Sequence, residues 1–118
     1  YTFVAQIIRN RLNSYKGGAK SRGYKWNLTF DQFYSLWQKP CYYCNEPIAT
    51  IGIDRIDNAR GYEPDNVVPC CWPCNKTKSS LSGTEYITRC LMVASNVLGD
   101  PNILGNLLSR LLRSDLNL

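Results

Sequence analysis

The sequence contains no histidine, a single methionine and no cysteine before residue 41. The first absence removes the side chain that most often serves as a general base near neutral pH. Acidic residues are missing from the start as well: none precedes Asp31, whereas Arg9, Arg11, Lys16, Lys20, Arg22 and Lys25 all do. No apolar run approaches the length of a bilayer span, so no membrane partner is expected. No secretory leader pattern is visible, although the first residue is Tyr rather than Met. Repeats and low-complexity tracts are also lacking. The 118 residues are expected to form a single domain whose modest core would profit from a metal staple.

What is present points towards a polyanion. The net charge is +5, and the early basic residues concentrate it at the N-terminal end. Nucleic acid is the commonest partner of such a segment, DNA first and RNA second. A solvated helix face followed by a polar loop accounts for the same charges without any partner.

Cysteine usage is the more specific signal. Cys41-Tyr-Tyr-Cys44 and Cys71-Trp-Pro-Cys74 are paired units, and Ile53-Asp-Arg-Ile-Asp57 lies between them. Four thiolates at this spacing can close a tetrahedral zinc site. A secreted disulfide framework is the rival reading of six cysteines. The paired spacing favours structural zinc and a reducing, intracellular setting. Cys70 offers a second register, Cys70-x-x-x-Cys74; Cys71 is preferred because it matches the first pair and suits a helix start. Cys70 and Cys90 are then expected to be buried thiols.

Around the cysteines the periodicity predicts short elements. Phe3, Val4, Ile7, Ile8 and Leu12 mark an amphipathic helix over residues 2–13, and Gly17-Gly18 is expected to break the chain into a loop over 14–25. Thr29 and Gln32 form a capping box, with Leu28 and Phe33 placed for a hydrophobic staple. The helix they open buries Phe33, Leu36 and Trp37 and stops before Pro40. Residues 49–54 read as a strand with Ile51 and Ile53 on one face and Asp54 on the other. Val67-Val68 is a second strand, and Cys71 opens a helix to about Ser79 that carries Asn75 and Lys78 one turn apart. Thr84 is expected to cap a further helix. Leu104, Leu107, Leu108, Leu111 and Leu112 form a last apolar stripe, packed on the first helix in a monomer or serving as a homodimer seam.

The order strand, loop, strand, helix, with a cysteine pair at each end, resembles the zinc-containing HNH endonucleases. The resemblance covers roughly residues 41–80. It is carried by the two cysteine pairs, Ile53-Asp-Arg-Ile-Asp57, Gly61-Tyr62, Asp65-Asn66-Val67-Val68-Pro69 and Cys74-Asn75-x-x-Lys78. It implies an α+β fold: a small zinc-stapled ββα-metal core (41–80) flanked by a basic helical lead-in (1–40) and C-terminal helices (81–118). It also implies a metal-dependent endonuclease that hydrolyses DNA phosphodiester bonds in a homing, restriction or phage DNA-processing role, within a bacterial or phage-infected cell.

In this resemblance Asp54 and Asn75 hold the catalytic cation, Mg2+ or Mn2+, through hard oxygen ligands. Asn66 shapes the loop between the strands, and Gly61 supplies a turn conformation. Lys76 and Lys78 are candidates for phosphate contact or for a solvated helix face. The family's general-base histidine falls on Arg55, which stays protonated and is a poor base. Arg55 can still clamp a phosphate, and Asp57, Tyr62 or a metal-bound hydroxide is left to take the water proton. The alternative function is a catalytically impaired zinc module that binds nucleic acid or a partner protein without cutting it.

Overall fold

Helix α1 runs from Phe3 to Ser21 in the computed structural model, which describes residues 2–99 together with Asn102, Gly105, Asn106 and Ser109. Thr2 caps it by accepting from the Ala5 amide at 3.1 Å. The helix passes straight through Gly17-Gly18, contrary to the break expected there. Two glycines weaken a helix by about 1 kcal/mol each, but Ile8, Leu12 and Ala19 on either side of them are buried. Their packing outweighs the local cost. The stop comes instead at Gly23, whose φ of +77° is the left-handed conformation glycine adopts without strain. The Gly23 amide donates to the Lys20 carbonyl and the Tyr24 amide to that of Ala19, which closes the helix end.

Helix α2 (Phe30–Tyr34) starts with the expected capping box between Thr29 and Gln32. It is shorter than the pattern suggests. The Ser35 hydroxyl turns back to the Gln32 carbonyl at 2.6 Å, and the amides of Leu36 and Trp37 reach only three residues back. The side-chain bond competes with helix continuation.

Strand β1 (Ile53–Arg55) pairs antiparallel with β2 (Val67–Pro69), with Asp54 opposite Val68. Bonds from Cys70 to Gly52 and from Ile56 to Asn66 extend the ladder by one rung at each end. The loop between the strands is tied by Asn66, which is fully buried. Its Oδ1 accepts from the Asp57 amide, and its Nδ2 donates to the carbonyls of Asp57 and Gly61. Gly61 is needed for space rather than for a turn conformation: a Cβ there would lie 2.5 Å from the Lys25 carbonyl oxygen. That contact lets Tyr62 bond to Lys25 and Asn27 along the chain leaving α1.

Helix α3 (Trp72–Lys78) is capped by Cys71, whose Sγ accepts from the Cys74 amide. Helix α4 (Gly83–Leu98) is capped by Ser82 with Glu85, two residues ahead of the Thr84 cap expected. The Ser82–Glu85 spacing completes a capping box, which satisfies two amides where Thr84 would satisfy fewer.

These elements enclose two buried clusters. Ile8, Leu12, Ala19, Leu28, Phe33, Ile51, Ile53 and Tyr62 form a hydrocarbon core between α1, α2 and the start of the sheet. Cys41, Cys70, Cys74 and Tyr86 form a second cluster, with Tyr43, Ile48 and Leu81 packed against it. The architecture is α+β, a two-stranded sheet with helices around it. The leucine stripe from Leu104 to Leu112 lies outside the described residues. Among the described residues no helix is long and apolar enough to cross a membrane.

Candidate metal and nucleic-acid site

Four thiols define the best-formed site. Cys41 and Cys44 lie on a tight turn in which the Asn45 amide returns to the Cys41 carbonyl, while Cys71 and Cys74 open α3. Their Sγ atoms all fall within 4.8 Å of one another, and those of Cys44 and Cys71 are 3.6 Å apart. A tetrahedral zinc with bonds of about 2.3 Å requires sulfurs about 3.8 Å apart. The donor set therefore fits zinc. None of the six cysteines is in a disulfide, so the bridge framework falls away.

Burial pushes the Cys41 thiol up, but backbone amides of Cys44, Cys71 and Tyr43 outweigh it and hold the group at about 6. Burial takes Cys74 the other way, up to about 12. Cys70 stays out of the set, its thiol turned to the Cys71 carbonyl at 3.4 Å and raised by burial and by the Asp54 charge. Cys90 is exposed on α4 rather than buried, one turn after Tyr86.

Asp54 projects from β1 into a polar pair of its own. Lys78 Nζ lies 3.2 Å from Oδ1, and the Tyr43 hydroxyl donates to Oδ2 at 2.8 Å. The carboxylate is 6 % exposed and the lysine 0 %. Lys78 also donates to the Arg55 carbonyl. Lys78 is thus not a surface phosphate contact: α3 turns it inward because the buried Asp54 charge needs a partner. Burial and the bond to Asp54 drive the Tyr43 phenol far above its usual range, so it remains a donor.

Arg55 faces away from that pair. Its guanidinium lies 3.5 Å from the Tyr24 ring centre, and Nη1 donates to the carbonyls of Asn58 at 2.8 Å and Arg60 at 2.7 Å. The side chain ties the inter-strand loop to the segment after α1. Asp57 does not continue the strand face, because β1 ends at Arg55. It sits exposed in the loop, where its carboxylate accepts from the Ala59 amide.

Asn75, on the exposed side of α3, opens onto a cavity of about 410 Å3 that it shares with Arg11, Ser14, Tyr15, Arg22 and Tyr62. Asp54 is not part of that lining. As ligand types, a carboxylate and an amide oxygen fit a hard divalent cation. The carboxylate already has a stand-in for one in the Lys78 ammonium.

The remaining basic residues divide by face. Arg9 stacks on Phe30 at 4.9 Å, and Lys76 lies 4.9 Å over the exposed Trp72. Lys16 and Lys20 line a separate cavity with Tyr24 and Trp26. Lys25 is exposed, its backbone engaged with Tyr62. Tyr43 and Tyr15 were missed by the sequence reading. Their only signal was position: one inside the first cysteine pair, the other four residues after Arg11 on a helix.

The chain matches the rare-cutting HNH restriction endonuclease PacI with a TM-score of 0.55 and 24% identity, over 90% of this chain and 80% of that one. The fold is the HNH fold. An uncharacterized protein of Acanthamoeba polyphaga mimivirus is 35% identical over 91 residues, 75% of this chain. The chain spans 17% of that relative's length. No family model matches. The HNH resemblance read from the cysteine pairs and the Asp54–Asn75 segment thus holds for the fold and for a four-cysteine cluster able to take zinc.

Proposed function

We propose that the chain is a metal-dependent endonuclease that hydrolyses DNA phosphodiester bonds. One observation carries the reading: a thiol cluster suited to zinc fixes the start of α3 and so sets Asn75 at the mouth of a donor-lined cavity, beside the strand that bears Asp54. Asp54 and Asn75 would hold the catalytic cation, Mg2+ or Mn2+. Bound there, it would supply positive charge to the phosphate and the leaving oxygen.

The chain's own groups do the rest. Arg55 keeps the inter-strand loop in place and takes no proton. Asp57 points elsewhere, and the Tyr62 oxygen already accepts from Arg22, so neither side chain is an efficient base. A site without an efficient base loses a factor of about 10² to 10⁴ in rate, so turnover is expected to be slow. Supercoiled plasmid incubated with zinc-loaded protein and Mg2+ or Mn2+ should be nicked or linearised, and Asp54→Ala should leave it intact. Equal traces of cutting by both proteins would mean contamination and would end the proposal.

A second reading, a zinc module that binds nucleic acid or a partner without cutting, is favoured by the Lys78–Asp54 pair. A carboxylate already neutralised by an ammonium has less to offer a cation. In that case binding is salt-sensitive, no plasmid is cut and Asn75→Ala changes nothing.

A further inference from the structure

We propose that the cavity between α1 and α3 is the seat of a single nucleic-acid phosphate, built largely from the N-terminal helix. The inference rests on the nucleic-acid part of the reading above and is independent of cleavage. Arg11, Ser14, Tyr15 and Arg22 recur at helical spacing and bring one stripe of α1 to the cavity, where Tyr62 and Asn75 complete it. No Asp or Glu lines it. The charged groups present are guanidiniums, and the polar side chains of Ser14, Tyr15, Tyr62 and Asn75 can donate hydrogen bonds.

The hydroxyls are set up as donors. Arg22 Nη2 donates to the Tyr62 oxygen at 2.9 Å, and the Ile53 amide donates to the Tyr15 oxygen at 3.3 Å. Each phenol has thus accepted a bond and keeps its own O–H to give. Burial raises the Tyr15 pKa, which secures that proton. Guanidiniums and neutral hydroxyls with no carboxylate suit an anion with several acceptor oxygens. The volume of about 410 Å3 exceeds that of a bare oxyanion and admits a phosphodiester with adjoining sugar.

Gly18 belongs to the same design. A Cβ on it would stand 3.2 Å from Arg22 Nη1, so glycine lets the guanidinium fold back along the helix towards Tyr62. Lys16 and Lys20 lie against the other cavity, so the basic segment is not one continuous stripe. A phosphate held by Arg11 and Arg22 is presented to Asn75 and α3.

Affinity for a short fluorescein-labelled DNA duplex, measured by anisotropy over a KCl series without added divalent metal, tests the seat. Arg22→Met should weaken binding about tenfold and reduce the salt slope by about one. Arg89→Met removes the same charge from α4 and should change affinity less than about twofold. Arg11→Met should weaken binding several-fold while melting no earlier than wild type. A loss with Arg22→Met no larger than with Arg89→Met, or an unchanged slope, overturns the seat. If Arg22→Met melts early, Arg11→Met decides, and undiminished binding overturns it. Intact plasmid beside the expected binding losses removes the nuclease reading alone; cutting with unimpaired Arg22→Met binding removes the seat alone.

Discussion

Asp54 and Asn75 belong to the same ββα core, and the chain equips them in opposite ways. Asp54 is buried, with one carboxylate oxygen on an ammonium and the other on a phenol. Asn75 is exposed at a cavity whose other polar groups are donors from α1 and the loop after β1. A buried charge must be matched during folding, or it costs several kcal/mol. An open cavity of donors is satisfied by water until a ligand arrives. The first arrangement therefore contributes to the stability of the core besides offering a cation ligand, and the second contributes to recognition. Substitutions at the two centres should separate accordingly.

Both centres depend on the thiol cluster, so its loss should have the largest effect. Zinc binding to small domains contributes on the order of 10 kcal/mol to folding. Cys74→Ser, or chelation of the metal, is expected to abolish the cooperative thermal transition of the α3 region, followed by near-UV circular dichroism. Retention of the native spectrum after complete zinc removal would show that the hydrocarbon core under α1 holds the fold alone.

Lys78→Met comes next. It leaves the Asp54 carboxylate buried beside Tyr43 only, at an expected cost of about 3–5 kcal/mol. The double variant with Asp54→Asn should recover much of that in a denaturant-unfolding cycle. Simple additivity of the two single changes would mean that the pair does not interact.

Arg55→Ala should be milder, about 1–3 kcal/mol, because it leaves the Asn58 and Arg60 carbonyls without their donor. It also removes the stacking on Tyr24. Faster hydrogen exchange in residues 56–61, with β1 itself protected, would locate the effect in the loop.

Local chemistry decided how much could be read from sequence. The paired cysteines and the Thr29–Gln32 capping box rest on short-range rules, the role of Asn66 rests on the HNH resemblance, and the structure follows all three. Gly17-Gly18 misled because the strength of a helix breaker depends on what its neighbours bury, and Ala19 is wholly enclosed. Lys78 misled for the same kind of reason: a lysine is expected at the surface unless a buried carboxylate awaits it, and Asp54 is remote in sequence. Arg22 joins Arg11, Tyr15, Tyr62 and Asn75 only because α1 continues past the glycines. No local pattern announces that meeting.

The most direct test of the functional claim is plasmid cleavage by zinc-loaded protein across a Mg2+ and Mn2+ titration, run beside Asn75→Ala. Asn75 is exposed, so its truncation should shift stability by no more than about 0.5 kcal/mol. The account predicts divalent-dependent nicking by the wild type and its loss in a variant that melts at the same temperature. Plasmid left intact by the wild type at every metal and protein concentration would contradict it.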